Sequence, residues 1–451
     1  MASFWCESAL LPDGWASRVR VIEVYGCIQH IAVGVTPSEA DERLSVGLPG
    51  MPNLHSHAFQ RGLAGLTEHR GPSSDSFWTW RELMYQFVDR VTPDQLEAIT
   101  SMAYVEMLES GFTHVGEFHY LHHDCGGIPF SDPAELSGRV AAAAAATGIG
   151  LTLLPTFYAH SGFGGAEPHQ RQLRFVNSRD RFADILEASK KLIKSLPGCA
   201  LGVAPHSLRA VTPEELRWLI DLARGGLIHI HVAEQLQEVD DCVTWSGLRP
   251  VEWLLENSPL DRNWCLVHAT HMTQGELRAV AESGAVVGLC PITEANLGDG
   301  IFRAADFVAL AGNIGIGSDS NVLIDPAQEL RSLEYSQRLV HCSRNVLASP
   351  TRRSTGRMLF ERALSGGAQA LRSSPGLVEG ASLDLLSLDL GQPQLAQRIE
   401  DDILDSWIFS GSERLIDRVW RSGRKVVADG RHFAREAIVT GYRRALRQLL
   451  A

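Results

Sequence analysis

The stretch Leu48-Pro49-Gly50-Met51-Pro52-Asn53-Leu54-His55-Ser56-His57-Ala58-Phe59-Gln60-Arg61 decides how the chain is read. A Pro/Gly turn leads into a short apolar run that ends in two histidines two places apart. Side chains alternate faces along a strand, so His55 and His57 share a face and can share one metal ion. A lone His-x-His in a chain with 17 histidines is weak ground for a metal site. A mononuclear catalytic centre takes three or four N/O donors from separate elements and leaves one position for water. The rest of the chain must supply the other donors.

From Gly50 onward, short apolar runs alternate with helical stretches. The runs are Met51 to His57, Thr113 to Phe118, Gly150 to Tyr158, Leu201 to Pro205, Leu227 to Val232, Trp264 to His268, Ala285 to Cys290 and Asn313 to Gly317. Between them lie amphipathic stretches such as Pro93 to Ser110, Arg179 to Ser195, Pro213 to Ala223, Arg249 to Asn257 and Thr273 to Ser283. Eight such strands over about 270 residues match a (β/α)₈ barrel. No G-x-G-x-x-G follows any of them, which weighs against an open doubly wound sheet. Before the barrel, Val19 to Ile31 and Arg43 to Val46 read as β segments. After it, a helical region runs from Pro326 to about Ala370. β texture then returns from Gly376 through Leu388, at Leu415 to Val419 and at Arg424 to Val427, and a basic helix from Ala434 to Leu450 closes the chain. The expected organisation is an α/β protein with a TIM-like barrel over 49–370. A small β-sandwich domain is expected from the two ends, 1–48 and 371–451.

The formal charge of -12, from 41 basic and 53 acidic residues, argues against nucleic acid or an anionic membrane as partner, since either rewards a basic face. The eight cysteines form no C-x-x-C pair, so they read as reduced thiols of a cytoplasmic protein. The first 22 residues lack a signal-peptide core, and Val140 to Pro155 is too short to span a bilayer. A homodimer is the default expectation for such a chain.

Active sites of these barrels sit at the carboxyl ends of the strands. Those ends carry His55 and His57, Glu117 and His119, His160, His206, His231 with Glu234, His268 with His271, Glu294 with Asn296, and Asp319. In Leu227-Ile228-His229-Ile230-His231-Val232-Ala233-Glu234, His231 is the third metal donor, and His229, deeper by one pair, packs in the interior. Glu234 just past the strand end can shuttle a proton between water and substrate. Asp319 can bind the metal, act as general base for its water, or do both. His268 would face the open position.

His-x-His, His-x-x-Glu, His and Asp in that order on the first, fifth, sixth and eighth strands resemble the amidohydrolase superfamily, in its branch of mononuclear zinc deaminases. No lysine stands at Ala204-Pro205-His206-Ser207, where two-metal members carry a bridging carbamate, so one metal is expected. Within that branch, Met51 to Arg61, Phe77-Trp78-Thr79-Trp80-Arg81-Glu82-Leu83-Met84-Tyr85, Gly116-Glu117-Phe118-His119-Tyr120, Ala204 to Val211, His231 to Gln235 and Cys290 to Gly300 resemble the formimidoylglutamate deiminase family.

That resemblance implies hydrolysis of N-formimidoyl-L-glutamate to N-formyl-L-glutamate and ammonia in histidine degradation. It also implies one Zn²⁺ per subunit on His55, His57, His231 and Asp319, a donor set that accepts Fe²⁺ or Mn²⁺ as well. Glu234, His268 and Asp319 are the expected proton-handling groups. Arg81 and Arg209 are the expected forks for a dicarboxylate amidine substrate, with Gln60, Tyr120 and His206 as hydrogen-bond partners. Asn321 departs from the pattern, which has histidine after Gly-Ser-Asp-Ser. The rival readings are a guanine or adenosine-derivative deaminase, whose flat substrates want stacking in place of two arginines, and a silent barrel without stoichiometric metal.

Overall fold

The computed structural model describes residues 1–71, 75–411 and 415–451. The barrel strands are preceded by β1 (Ala2–Leu11), β2 (Gly14–Val24), β3 (Cys27–Ala32) and β4 (Glu42–Pro49). The barrel itself runs β5 (Met51–Ser56), β6 (Phe112–His119), β7 (Gly150–Phe157), β8 (Ala200–Leu201) continued by β9 (Ala204–Pro205), β10 (Ile228–Val232), β11 (Trp264–His268), β12 (Val286–Leu289) and β13 (Asn313–Ile316). All pairings within it are parallel. Parallel bridges Val203↔Ile228 and Ser207↔His231 join the two halves on one side, and Ser56↔Asp319 closes the ring on the other. The strands are buried along almost their whole length because helices cover the ring outside. Thr92-Pro93 and Thr212-Pro213 start two of those helices: each threonine hydroxyl accepts an N–H from the first turn, and proline stands where no N–H is needed.

The two ends of the chain meet in one eight-stranded sheet, completed by β14 (Leu385–Leu388), β15 (Ile416–Arg421), β16 (Arg424–Ala428) and β17 (Arg431–His432), in the order β17-β16-β15-β14-β4-β1-β2-β3. Val19 to Ile31 is two strands, not one segment. Tyr25 and Gly26 both take positive φ, which builds the tight hairpin turn between β2 and β3. The long first strand escapes a period-two reading because its buried positions run Phe4, Cys6, then Ala9 and Leu10. The sheet bends over on itself. Phe4 and Trp420 lie in strands three places apart, yet their rings meet at 5.3 Å, and Ile28 of β3 exchanges hydrogen bonds with Gly380 and Ala381.

The helical region after β13 is two helices, Pro326–His341 and Thr355–Leu371. The second seals the barrel end opposite the carboxyl ends of the strands: Leu371 O accepts from Thr152 Oγ1 and Ala370 O pairs with His229 Nε2. His229 is thereby an interior residue, as its depth in the strand implied. The helix approaches so closely because it carries Gly366 and Gly367. A Cβ on Gly366 would stand 1.9 Å from Ile314 O, a backbone atom of β13 that cannot turn aside. Gly366→Ala is therefore expected to destabilise the protein by about 3 kcal/mol, read as a lower midpoint in denaturant unfolding.

Candidate metal centre and substrate pocket

β5 delivers His55, and His57 follows one residue past its end. Their Nε2 atoms lie 3.2 Å apart, and His231 on β10 brings its Nε2 to 3.1 Å from that of His55. Asp319, beyond β13, places Oδ1 3.3 Å from His55 Nε2 and 3.4 Å from His57 Nε2. The far sides of the rings decide what the near sides present. His57 Nδ1 sits 2.9 Å from Phe118 O, and His231 Nδ1 3.0 Å from His206 O. A carbonyl can only accept, so both Nδ1 atoms carry the proton and both Nε2 atoms offer lone pairs. Burial holds all three imidazoles below their ordinary pKa, His57 at about 3. Lone pairs and a carboxylate oxygen crowded at these distances repel one another unless a cation sits among them. The four donor atoms lie within 4.8 Å of one another, and three imidazole nitrogens with one carboxylate suit a divalent ion such as zinc.

Backbone strain marks the same rim. Ala233, His268, Asp319 and Asn321 follow or end three different strands, and all take positive φ without being glycine. Asn321, where the resembled pattern has histidine, is buried and hydrogen-bonded through both ends of its amide. Its Nδ2 donates to His57 O (3.1 Å), Asp319 O (2.9 Å) and Ser56 Oγ (3.2 Å), and its Oδ1 accepts from Ser318 Oγ at 2.7 Å. It ties the two donor-bearing loops together at their backbones. Glu117, at the end of β6, accepts the Ala58 N–H at 2.7 Å and so clamps the chain just after His57.

Next to the donors stands a cluster of buried titratable side chains. His268 Nε2 lies 3.7 Å from Asp319 Oδ2 and 3.8 Å from Glu234 Oε1, while its Nδ1 faces Glu294 Oε1 at 3.2 Å. Burial opposes charge on His268, but Glu234, Glu294 and Asp319 around it outweigh that and raise its pKa well above the ordinary value. Burial also lifts Glu234, to about 7, against the pull of His268 and Arg209. Glu238 accepts the Glu234 N–H at 3.1 Å and holds its backbone in place.

A pocket lies directly over this group. Gln60, Arg81, Tyr120, His206 and Arg209 all line it together with His57, His231, Glu234, His268 and Asp319. Gln60 Nε2 donates to the Tyr120 hydroxyl at 3.0 Å, and the His206 ring packs 4.7 Å from that of Tyr158. Among the described residues neither Arg81 nor Arg209 has an acidic partner within ion-pair distance, and the Nε of each is buried without a hydrogen bond.

Other strand-end residues lie outside this group. His119 packs against His122, His160 pairs with Glu215, His271 is held by Asp299 O, and Asn296 donates to Glu68. Two residues given no role in the sequence reading belong to it. Glu294 orients His268, and its only sequence signal was an acid at the seventh strand end. Asn321 had no signal beyond its departure from the pattern.

Residues 46–426 match the Amidohydrolase family. The chain is 49% identical to formimidoylglutamate deiminase of Pseudomonas aeruginosa over the full length of both. It is 53% identical, again over both full chains, to a crystal structure of an amidohydrolase from Brucella melitensis, with a TM-score of 0.97. A zinc-bound adenosine deaminase from Xanthomonas campestris shares the fold at 20% identity and a TM-score of 0.81, covering 99% of this chain and 98% of its own. With the barrel, the converging donors and these likenesses together, the chain belongs to the amidohydrolase family, in the group of formimidoylglutamate deiminase.

Proposed function

We propose that this protein hydrolyses the formimidoyl C=N bond of N-formimidoyl-L-glutamate, giving N-formyl-L-glutamate and ammonia. The observation that carries the substrate is the pair Arg81 and Arg209. Two guanidiniums without acidic partners face the same pocket as the metal donors, which suits a small dianion and is wasted on a neutral purine. The relative from P. aeruginosa bears the name of this activity.

His55, His57, His231 and Asp319 would hold one divalent cation, with zinc the proposed ion. When bound, that ion lowers the pKa of water to about 7 and so supplies a nucleophile at neutral pH. Arg81 and Arg209 grip the two carboxylates, which aims the formimidoyl carbon at the centre. Gln60, Tyr120 and His206 hydrogen-bond the substrate along the wall. Asp319 takes a proton as oxygen adds to the carbon and passes it on towards the nitrogen, while His268, held charged by the carboxylates around it, steadies the negative oxygen. Glu234 carries a proton to the departing nitrogen, so ammonia leaves and the C=O of the formyl group forms. Both hydrogens of the water end on the nitrogen, and the atoms balance.

Ammonia release by metal-loaded protein from N-formimidoyl-L-glutamate, guanine and S-adenosylhomocysteine, side by side, tests the reading. Turnover of either purine compound in preference to the amidine would overturn it. Arg209→Ala is expected to raise KM about 100-fold with a much smaller change in kcat, because removing one partner of a desolvated charge pair costs about 2–5 kcal/mol, and steady-state kinetics checks it.

The same reading extends to organisation. We take the curled sheet of the two chain ends as a small β-sandwich beside the barrel, with divisions at 1–48, 49–370 and 371–451, supported by the Phe4–Trp420 contact across it. A cytoplasmic setting is supported by eight free cysteines, and no helix among the described residues is long and apolar enough to cross a membrane. A homodimer is supported by the exposed Tyr335, Leu339 and Val340 on one helix, and sedimentation tests it.

A further inference from the structure

We propose that Trp78 is a positioning residue: its indole sets the spacing of the two guanidiniums and thereby the preference for a dicarboxylate over a monocarboxylate. The inference rests on the substrate reading above. Trp78 and Arg81 are three residues apart on the helix Phe77–Val88 and so lie on one face of it. Arg209 reaches the same ring from the loop after β9. The guanidinium carbons lie 4.6 Å and 5.7 Å from the centre of the Trp78 ring, so one indole serves both cations. Arg81 also lies 5.6 Å from the Tyr85 ring, whereas among the described residues Trp78 is the ring shared by both arginines.

Two like charges in a pocket repel, and the repulsion is stronger where water is excluded. Arg209 is only 7% exposed. No carboxylate stands at ion-pair distance, and Glu238 and Glu234 act on Arg209 only from farther off, so the electron-rich face of tryptophan is what draws both forks to a common place before substrate arrives, and tryptophan is the strongest aromatic partner for a cation. The indole is itself held. Phe77 stands edge-on to it at 5.1 Å with the planes at 90°. Phe77, Trp80 and Arg81 of this helix line the pocket and Trp78 does not, so it acts through the arginines and not on substrate.

The test compares Trp78→Leu, which keeps apolar bulk and loses the ring, with Trp78→Phe, which keeps a ring face. Metal-loaded proteins are assayed with N-formimidoyl-L-glutamate and with the one-carboxylate analogue N-formimidoylglycine, and glutarate and propionate serve as competitive inhibitors. For Trp78→Leu we expect KM for the dicarboxylate and Ki for glutarate to rise about tenfold or more, and kcat to change less than about threefold. Metal content should stay at one equivalent, KM for the glycine analogue and Ki for propionate should barely move, and Trp78→Phe should restore most of the loss. The proposal fails if KM and Ki for the dicarboxylates stay unchanged, if both substrates suffer equally, or if phenylalanine behaves like leucine. If the wild-type protein releases no ammonia from N-formimidoyl-L-glutamate, the proposed function fails instead, and glutarate binding, followed by calorimetry, still decides the role of Trp78.

Discussion

Glu234→Gln is expected to lower kcat about 1,000-fold while metal content and KM stay close to wild type. Glutamine fills the same space and accepts hydrogen bonds, but it cannot take up and release a proton. The step it abolishes is delivery to the departing nitrogen, without which an amide ion would have to leave. Glu234 is 4% exposed, and burial with nearby carboxylates holds its pKa at about 7. The form that begins the cycle must accept a proton, so it must be ionised. Wild-type kcat/KM should accordingly fall as pH drops below about 7, more steeply than that of Glu234→Gln, which keeps only the limb set by the water at the metal site. Near-normal turnover in a metal-replete Glu234→Gln protein would remove Glu234 from the mechanism.

Stripping the metal with a chelator is expected to abolish ammonia release, and one equivalent of Zn²⁺ should restore it. A second readout does not depend on turnover. His57 Nε2 and His231 Nε2 are lone pairs held close to His55 by hydrogen bonds on the far sides of their rings. The metal-free protein therefore keeps a repulsion that the ion relieves, and a ligand that binds only the folded state adds stability by mass action. At a hundredfold excess of Zn²⁺ over its Kd that gain is about 2.7 kcal/mol, seen as a rise in Tm. His231→Ala removes one nitrogen donor and should drop bound metal well below one equivalent, measured by elemental analysis after dialysis. Full metal content in that variant would mean that the four side chains do not share one ion.

Much of this protein is written along the chain because strands and helices announce themselves by period and by their ends. The eight apolar runs match the barrel strands closely. Thr-Pro pairs mark helix starts, and His55, His57, His231, His268 and Asp319 sit where a barrel puts its chemistry. The departures have local causes. Val19 to Ile31 hides a hairpin because Tyr25 adopts a left-handed conformation that side-chain pattern does not reveal. The helical stretch after β13 breaks at Cys342, which takes positive φ at the end of the first helix.

What sequence determined by itself was which residue types fall at which strand ends, since that depends only on the two-residue period and chain order. Tertiary structure decided the relations between distant segments: Glu294 turning His268, Asn321 fastening His57 to Asp319, and Trp78 shared by Arg81 and Arg209. Such contacts form only when the ring of strands closes and brings together residues separated in sequence by 26 positions, as His268 and Glu294, or by 264, as His57 and Asn321. No local pattern encodes them, because a single Glu, Asn or Trp in isolation satisfies many other environments equally well.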